Sequence, residues 1–186
     1  MRVRRLWHAV RWLRGLAGNH ADFWQVTGDA LDFALATLHI EETALRARLM
    51  NLYLALDAYP EVPSVLKRLK AGGMKLAILS NGSAAMLAAA AANAGIGDLF
   101  DAILSVEDVK VYKPHPSVYQ LACTRFNLPA HRICFLSSNG WDAYSAKAFG
   151  FRVLWCNRFG QAPERIPETP DAQITTLAEV PEIVLA

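Results

Sequence analysis

Ile133-Cys134-Phe135-Leu136-Ser137-Ser138-Asn139-Gly140-Trp141-Asp142 is the stretch whose reading decides the fold. Its first four residues form an apolar run long enough for a strand buried on both faces. Two hydroxyls, an amide, a glycine and a carboxylate follow directly. Ala143 to Phe149 then reads as a helix closed by Gly150. Open α/β sheets place their chemistry where a strand ends in polar groups and turns into a helix. The same grammar occurs upstream, where Met74 to Leu79 runs into Ser80-Asn81-Gly82-Ser83 and an alanine-rich helix. Two Ser-Asn corners at two strand ends make a site.

Working outward, strand and helix alternate from residue 59 onward. Helices are expected from Ser64 to Lys70, from Ser83 to about Ala94, and from Pro116 to about Phe126. Pro116 opens its helix at a position that needs no N–H. Strands are expected at Ala102–Val106, Arg152–Cys156 and Ala172–Thr176. This alternation predicts an α/β class: a parallel sheet with helices on both faces. Tyr59-Pro60-Glu61-Val62-Pro63 is a double-proline break and the domain boundary. Before it, apolar residues recur at three- and four-residue steps, including Phe23, Trp24, Ala30, Phe33, Ala34 and Leu38. A further helix from Thr43 to about Leu56 carries Leu45, Leu49, Leu52, Tyr53 and Leu56 as a stripe. Residues 1–58 therefore read as a helical subdomain and 59–186 as the α/β core.

Composition bounds the function. At 186 residues, 53% hydrophobic and a net charge of +2, the chain is a globular protein too weakly basic to argue for nucleic acid. Five arginines crowd the first fourteen residues beside Trp7 and Trp12. They read either as a surface-binding patch or as the solvated face of an amphipathic helix, and the second reading is the ordinary one. Cys123, Cys134 and Cys156 lack CxxC spacing, so neither zinc nor a disulfide framework follows. No signal peptide or membrane-spanning run is evident, and the expected compartment is the cytoplasm.

Three polar clusters carry the chemistry. Ser80-Asn81-Gly82-Ser83 offers a hydroxyl, an amide and a helix N-terminus suited to an anion, while Ser83 also fits a plain N-cap. In Val111-Tyr112-Lys113-Pro114-His115-Pro116, prolines hold a lysine rigidly, whereas His115 reads as a turn residue rather than a base. The third cluster is Ser137, Ser138, Asn139 and Asp142.

Together LSNGS, VYKPHPSVY and FLSSNGWDA resemble the haloacid dehalogenase superfamily, specifically its L-2-haloacid dehalogenase (type II) branch. WLRGLAG and DFWQVTGDAL resemble that branch's helical cap, and the likeness runs from about Trp12 to near the C-terminus. The resemblance implies a HAD-like Rossmannoid core and hydrolytic removal of halide from short 2-haloacids. Phosphatases of the superfamily place paired carboxylates in the last motif to hold Mg²⁺. Here Asp142 stands alone, a poor cage for a cation that wants several anionic oxygens. No metal or other cofactor is expected.

By the same resemblance, Lys113 balances the charge of the nucleophile and ester, with Tyr119 supporting it. Ser80 holds the substrate carboxylate, and Asn81 lies near the leaving halide. Ser137, Asn139 and Asp142 place and activate the hydrolytic water. Phe23 and Trp141 furnish apolar walls, although both also fit as core aromatics. The expected partner is a small 2-haloacid, with no nucleic acid and no membrane; the branch often dimerises, so a homodimer is also expected.

Two departures from the family stand out. The apolar strand ending in a nucleophilic aspartate, central in the family's sheet, is not found, because Asp22, Asp29, Asp32 and Asp57 all sit in the helical part. The family's substrate-binding arginine falls on Arg4 in an ungapped match, with His8 as the alternative. The expectation is a dehalogenase by family whose 186-residue chain lacks turnover. A phosphatase-type hydrolase and a non-catalytic binding remnant are the alternatives.

Overall fold

The computed structural model describes Arg14 and residues 17–186. Seven α-helices are found among them: α1 (Phe23–Thr37), α2 (Thr43–Asn51), α3 (Val62–Ala71), α4 (Ala84–Asn93), α5 (Pro116–Phe126), α6 (Gly140–Phe149) and α7 (Val180–Val184). The strands are β1 (Ala77–Ser80), β2 (Ala102–Ser105), β3 (Cys134–Ser137), β4 (Arg152–Cys156) and β5 (Ala172–Ile174). They form a two-stranded sheet, β1-β2, and a three-stranded one ordered β3-β4-β5. In the larger sheet both pairings are parallel, with Phe135 opposite Val153 and Leu154 opposite Ala172. The chain divides into two compact units. The first comprises residues 1–57, 79–97 and 103–112; the second comprises 58–78, 98–102 and 113–186.

In the second unit the period-2 alternation of β3 and β4 sorts side chains into two layers. Leu154 and Cys156 of β4 join Val65 and Leu69 of α3, Ile174 of β5 and Val180 of α7 in one buried cluster, flanked by Cys134 and Leu136 of β3. The intervening residues, Phe135 and Ser137 of β3 with Val153 and Trp155 of β4, therefore serve the other face. There Trp155 meets Tyr144 of α6 edge-on at 6.0 Å. Phe135 stacks on Phe151 at 5.7 Å and meets Tyr119 of α5 edge-on at 5.9 Å. This second layer brings a strand end, Ser137, beside the first turn of α6.

Helix ends follow their local chemistry. Helix α5 begins at Pro116 as expected, with the His115 ring as its cap, accepting from Ser117 N–H. Helix α6 stops at Gly150, whose φ of +111° is one that a side chain disfavours. Helix α3 turns out through Gly73 (φ +82°), and Met74 N–H reaches back to the Leu69 carbonyl.

In the first unit, Asp22 caps α1 by accepting from Gln25 N–H at 2.8 Å. Val26, Ala30 and Ala34 are buried on its inner face, as is Met50 of α2. Arg46 of α2 forks onto both oxygens of Asp32. Ser83 caps α4 by accepting from Met86 N–H.

Several expected boundaries move. The helix read from Thr43 to Leu56 ends at Asn51, because Leu52 and Leu56, placed on its apolar stripe, are exposed and give no burial to extend it. Phe33 and Leu38, read as part of the α1 stripe, are likewise exposed. The first strand starts at Ala77 instead of Met74. Before it, Leu76 N–H is taken by the Asp101 carboxylate, and Asp101 N–H by the Leu76 carbonyl. Helix α6 begins at Gly140, not Ala143, which puts Asp142 inside its first turn. Helix α7, with its Thr176–Glu179 capping box just upstream, was not expected.

Candidate active site

Asp142 sits in the first turn of α6, where a carboxylate is favoured by the helix dipole. It is buried, as are Lys113 and Tyr119. Its Oδ2 accepts from Lys113 Nζ at 3.0 Å and from Ser137 Oγ at 3.0 Å. Its Oδ1 accepts from the Tyr119 hydroxyl at 2.8 Å. One carboxylate thus gathers a cation from the 113–115 loop, a phenol from α5 and a hydroxyl from the end of β3. A buried ion pair of this kind holds only because further hydrogen bonds satisfy the remaining lone pairs.

The electrostatics follow from the burial. Desolvation, and after it the negative charge of Asp142, push the Tyr119 hydroxyl far above the usual phenol range, so it stays a donor. Lys113 faces more than Asp142: its Nζ lies 4.6 Å from the centre of the Phe135 ring and 5.8 Å from that of Tyr119. The turn after β3 is pinned by Ser137 Oγ, which accepts from Asn139 N–H at 3.2 Å. Asn139 occupies the N-cap position of α6 and is exposed, with Trp141 half-buried behind it.

The sequence-predicted residues fall into three groups. Lys113, Tyr119, Ser137, Asn139, Trp141 and Asp142 all belong to the second unit, and four of them form the hydrogen-bonded cluster. Ser80, Asn81 and Phe23 belong to the first unit. There Ser80 Oγ accepts from Gly82 N–H at 3.1 Å, Asn81 is buried, and Phe23 meets Tyr53 edge-on at 6.3 Å. Arg4 and its alternative His8 lie outside the described residues. His115, read as a turn residue, is an exposed helix cap.

Two residues escaped the sequence reading. In the sequence Phe135 reads only as part of an apolar strand, although its alternation with Cys134 and Leu136 puts it on the face of Ser137. Ser105 ends β2 as Ser80 ends β1; it is buried, donates to the Gly82 carbonyl at 2.7 Å and accepts from Glu107 N–H at 3.2 Å. A hydroxyl at a third strand end was the available signal.

Comparison with known proteins identifies the family. Residues 1–150 match the model of the haloacid dehalogenase-like hydrolases. (S)-2-haloacid dehalogenase 1 of Pseudomonas sp. (strain CBS-3) is 42% identical over 175 residues, covering 94% of this chain and 77% of that protein. (S)-2-haloacid dehalogenase 4A of Burkholderia cepacia is 43% identical over 170 residues, covering 91% of this chain and 74% of that one. The solved L-2-haloacid dehalogenase of Xanthobacter autotrophicus superposes with a TM-score of 0.91 at 35% identity, over 98% of this chain and 83% of its own. By this match and these relatives, the chain belongs to the haloacid dehalogenase-like hydrolase family.

Proposed function

We propose that this chain carries the machinery for hydrolytic dehalogenation of short-chain (S)-2-haloacids to 2-hydroxyacids. An aspartyl oxygen attacks C2 as the carbon–halogen bond breaks, and halide leaves with the bonding pair. Water then adds to the ester carbonyl, and the cleaved alkoxide takes a proton to give the hydroxyacid. In this reading Lys113 balances the anionic nucleophile and ester, and Tyr119 supports it through Asp142. Ser137, Asn139 and Asp142 place the hydrolytic water. Ser80 receives the substrate carboxylate, Asn81 and Arg4 serve the leaving halide, and Phe23 and Trp141 are the apolar walls. Residues 1–58 act as the cap and 59–186 as the core.

The observation that carries the reading is the partner set of Asp142. A lysine ammonium at 3.0 Å and a serine hydroxyl take one oxygen of Asp142 and a phenol takes the other, so this lone carboxylate offers a divalent cation little. Such a site suits an anionic ester better than metal-assisted phosphoryl transfer. The names of the relatives agree with it.

The attacking carboxylate is assigned to none of the described aspartates. Asp22 caps α1, Asp29 pairs with Arg14, Asp32 pairs with Arg46, Asp101 accepts from Leu76 N–H just ahead of β1, and Asp171 accepts from Val153 N–H within β4. On this reading the 186-residue polypeptide alone does not turn over, and activity needs an aspartate delivered on additional sequence. The test is chloride release from L-2-chloropropionate, by the 186-residue chain and by one extended through upstream coding sequence. Release by the extended chain alone is expected. Release by the 186-residue chain defeats the assignment of the nucleophile. An extended chain that spares the haloacid but cleaves a phosphate ester with Mg²⁺ defeats the reaction class.

A further inference from the structure

The Lys113 ammonium is buried beside a carboxylate that it does not hold alone. Asp142 divides its lone pairs among Lys113, Ser137 and Tyr119. Burial disfavours the charged form of a lysine, and the attraction of one hydrogen-bonded carboxylate is set against that cost. A second source of negative potential lies close to the ammonium. The Phe135 ring centre is 4.6 Å from Nζ, closer than the Tyr119 ring at 5.8 Å and within the reach of a cation–π contact.

The ring is also fixed in place. Phe135 stacks on Phe151 at an interplanar angle of 26°, and Phe151 is itself fully buried against Phe149 at 5.0 Å and Tyr119 at 5.9 Å. Its backbone is held in β3 opposite Val153. A ring packed in this way cannot readily swing away when the polar groups around Asp142 rearrange.

We propose that Phe135 is a positioning residue for Lys113: its ring face holds the ammonium charged and in place next to Asp142. The functional meaning rests on the reading of Lys113 as the charge-balancing cation. With Phe135 in place, the cation need not rely on Asp142 alone, which leaves that carboxylate free to orient water during ester hydrolysis.

Fluorination of the ring at 135 tests this, because it drains the π face while leaving the shape almost unchanged. The full 186-residue chain, labelled at lysine Cε and Nζ, is prepared with phenylalanine, 4-fluoro-, 3,5-difluoro- or 3,4,5-trifluorophenylalanine at 135. The Lys113 signal is identified by its loss in Lys113→Arg. Its titration midpoint is followed by NMR, and again in an Asp142→Asn background, where the carboxylate no longer dominates. The midpoint is expected to fall stepwise with each fluorine, by about half a pH unit across the series. Phe149→Leu, a packing change in the same aromatic group, is expected to lower thermal stability and leave the Lys113 midpoint in place. A midpoint indifferent to fluorination in both backgrounds, or one that Phe149→Leu moves equally, overturns the proposal. This readout needs no turnover, so a failure of the extended chain to release chloride strikes the proposed reaction and not the contact.

Discussion

Lys113 and Asp142 form a buried ion pair, 3.0 Å from Nζ to Oδ2, across 29 positions of sequence. Removing one partner leaves the other charged and poorly solvated, so Lys113→Met is expected to destabilise the protein by about 3–5 kcal/mol. Tyr119→Phe removes one hydrogen bond to the same carboxylate and should cost about 1–3 kcal/mol. Chemical denaturation of both variants checks the order. Equal losses would mean that Asp142 is not the charge Lys113 is paired with.

Ser105 offers a second, independent test in the first unit. Its hydroxyl satisfies the Gly82 carbonyl and Glu107 N–H at once, in a buried position. Ser105→Ala strands both groups, and about 1–3 kcal/mol of stability should go with them. Ser105→Gly adds only backbone freedom to that loss. If thermal melting of Ser105→Ala matches the parent within error, the hydroxyl does not secure the Ser80-Asn81 corner.

Gly150 ends α6 at φ +111°, and an added Cβ would meet only Ala130 Cβ at an ordinary 3.6 Å. The cost of Gly150→Ala is therefore conformational and not steric, about 1–2 kcal/mol. Gly150→Asn should cost less than Gly150→Ala, since asparagine tolerates positive φ better. Denaturant midpoints for the pair decide it, and the reverse order would point to a clash.

The same glycine shows what was legible in the sequence. Gly150, Pro116 and Ser83 are local signals, and each sits at the helix end expected of it. Lys113, Ser137 and Asp142 could be nominated because strand ends and rigid loops are where such residues gather. Their convergence on one carboxylate is a matter of tertiary distance, carried by no spacing in the chain. The Thr43–Leu56 stripe misled for a related reason: periodicity marks a face able to be buried, but Leu52 and Leu56 find nothing to bury it against among the described residues. Phe135 was invisible as a site residue because a strand phenylalanine is ordinarily core. Only the position of Nζ 4.6 Å from its ring gives it another meaning.

Acid should unpick the second unit at a definable place. Arg158 donates to Glu61, Thr176 Oγ1 donates to the same oxygen at 2.9 Å, and the guanidinium lies 4.0 Å from the centre of the Tyr59 ring. The Arg158 hydrogen bond chiefly, with backbone and Thr176 donors behind it, lowers the Glu61 carboxyl from 4.5 to about 2. A carboxyl depressed on folding contributes stability that is complete above its unfolded value, near 4.5, and is lost as pH falls toward 2. Glu61→Gln should flatten the stability profile between those limits and leave its slope above pH 5 unchanged. A profile equally steep in the variant would assign the acid transition to other carboxylates.

Alkali acts on Tyr119 with the opposite sign. Burial first, and the Asp142 charge second, raise its hydroxyl far above the ordinary value of 10.0. A phenol whose folded value is raised favours the native state fully below pH 10, and that contribution is lost progressively as pH climbs above it. Unfolded chain, whose tyrosines ionise normally, is then drawn off by deprotonation. In the native protein Tyr119 should therefore not ionise by absorbance until the fold itself gives way, and Tyr119→Phe should reduce the amplitude of that late step. The variant should also lose less stability between pH 10 and 11 than the parent does, even though it starts lower. Spectrophotometric titration alongside circular dichroism separates the two events. A Tyr119 that ionised ahead of unfolding would mean that Oδ1 of Asp142 does not keep its proton in place.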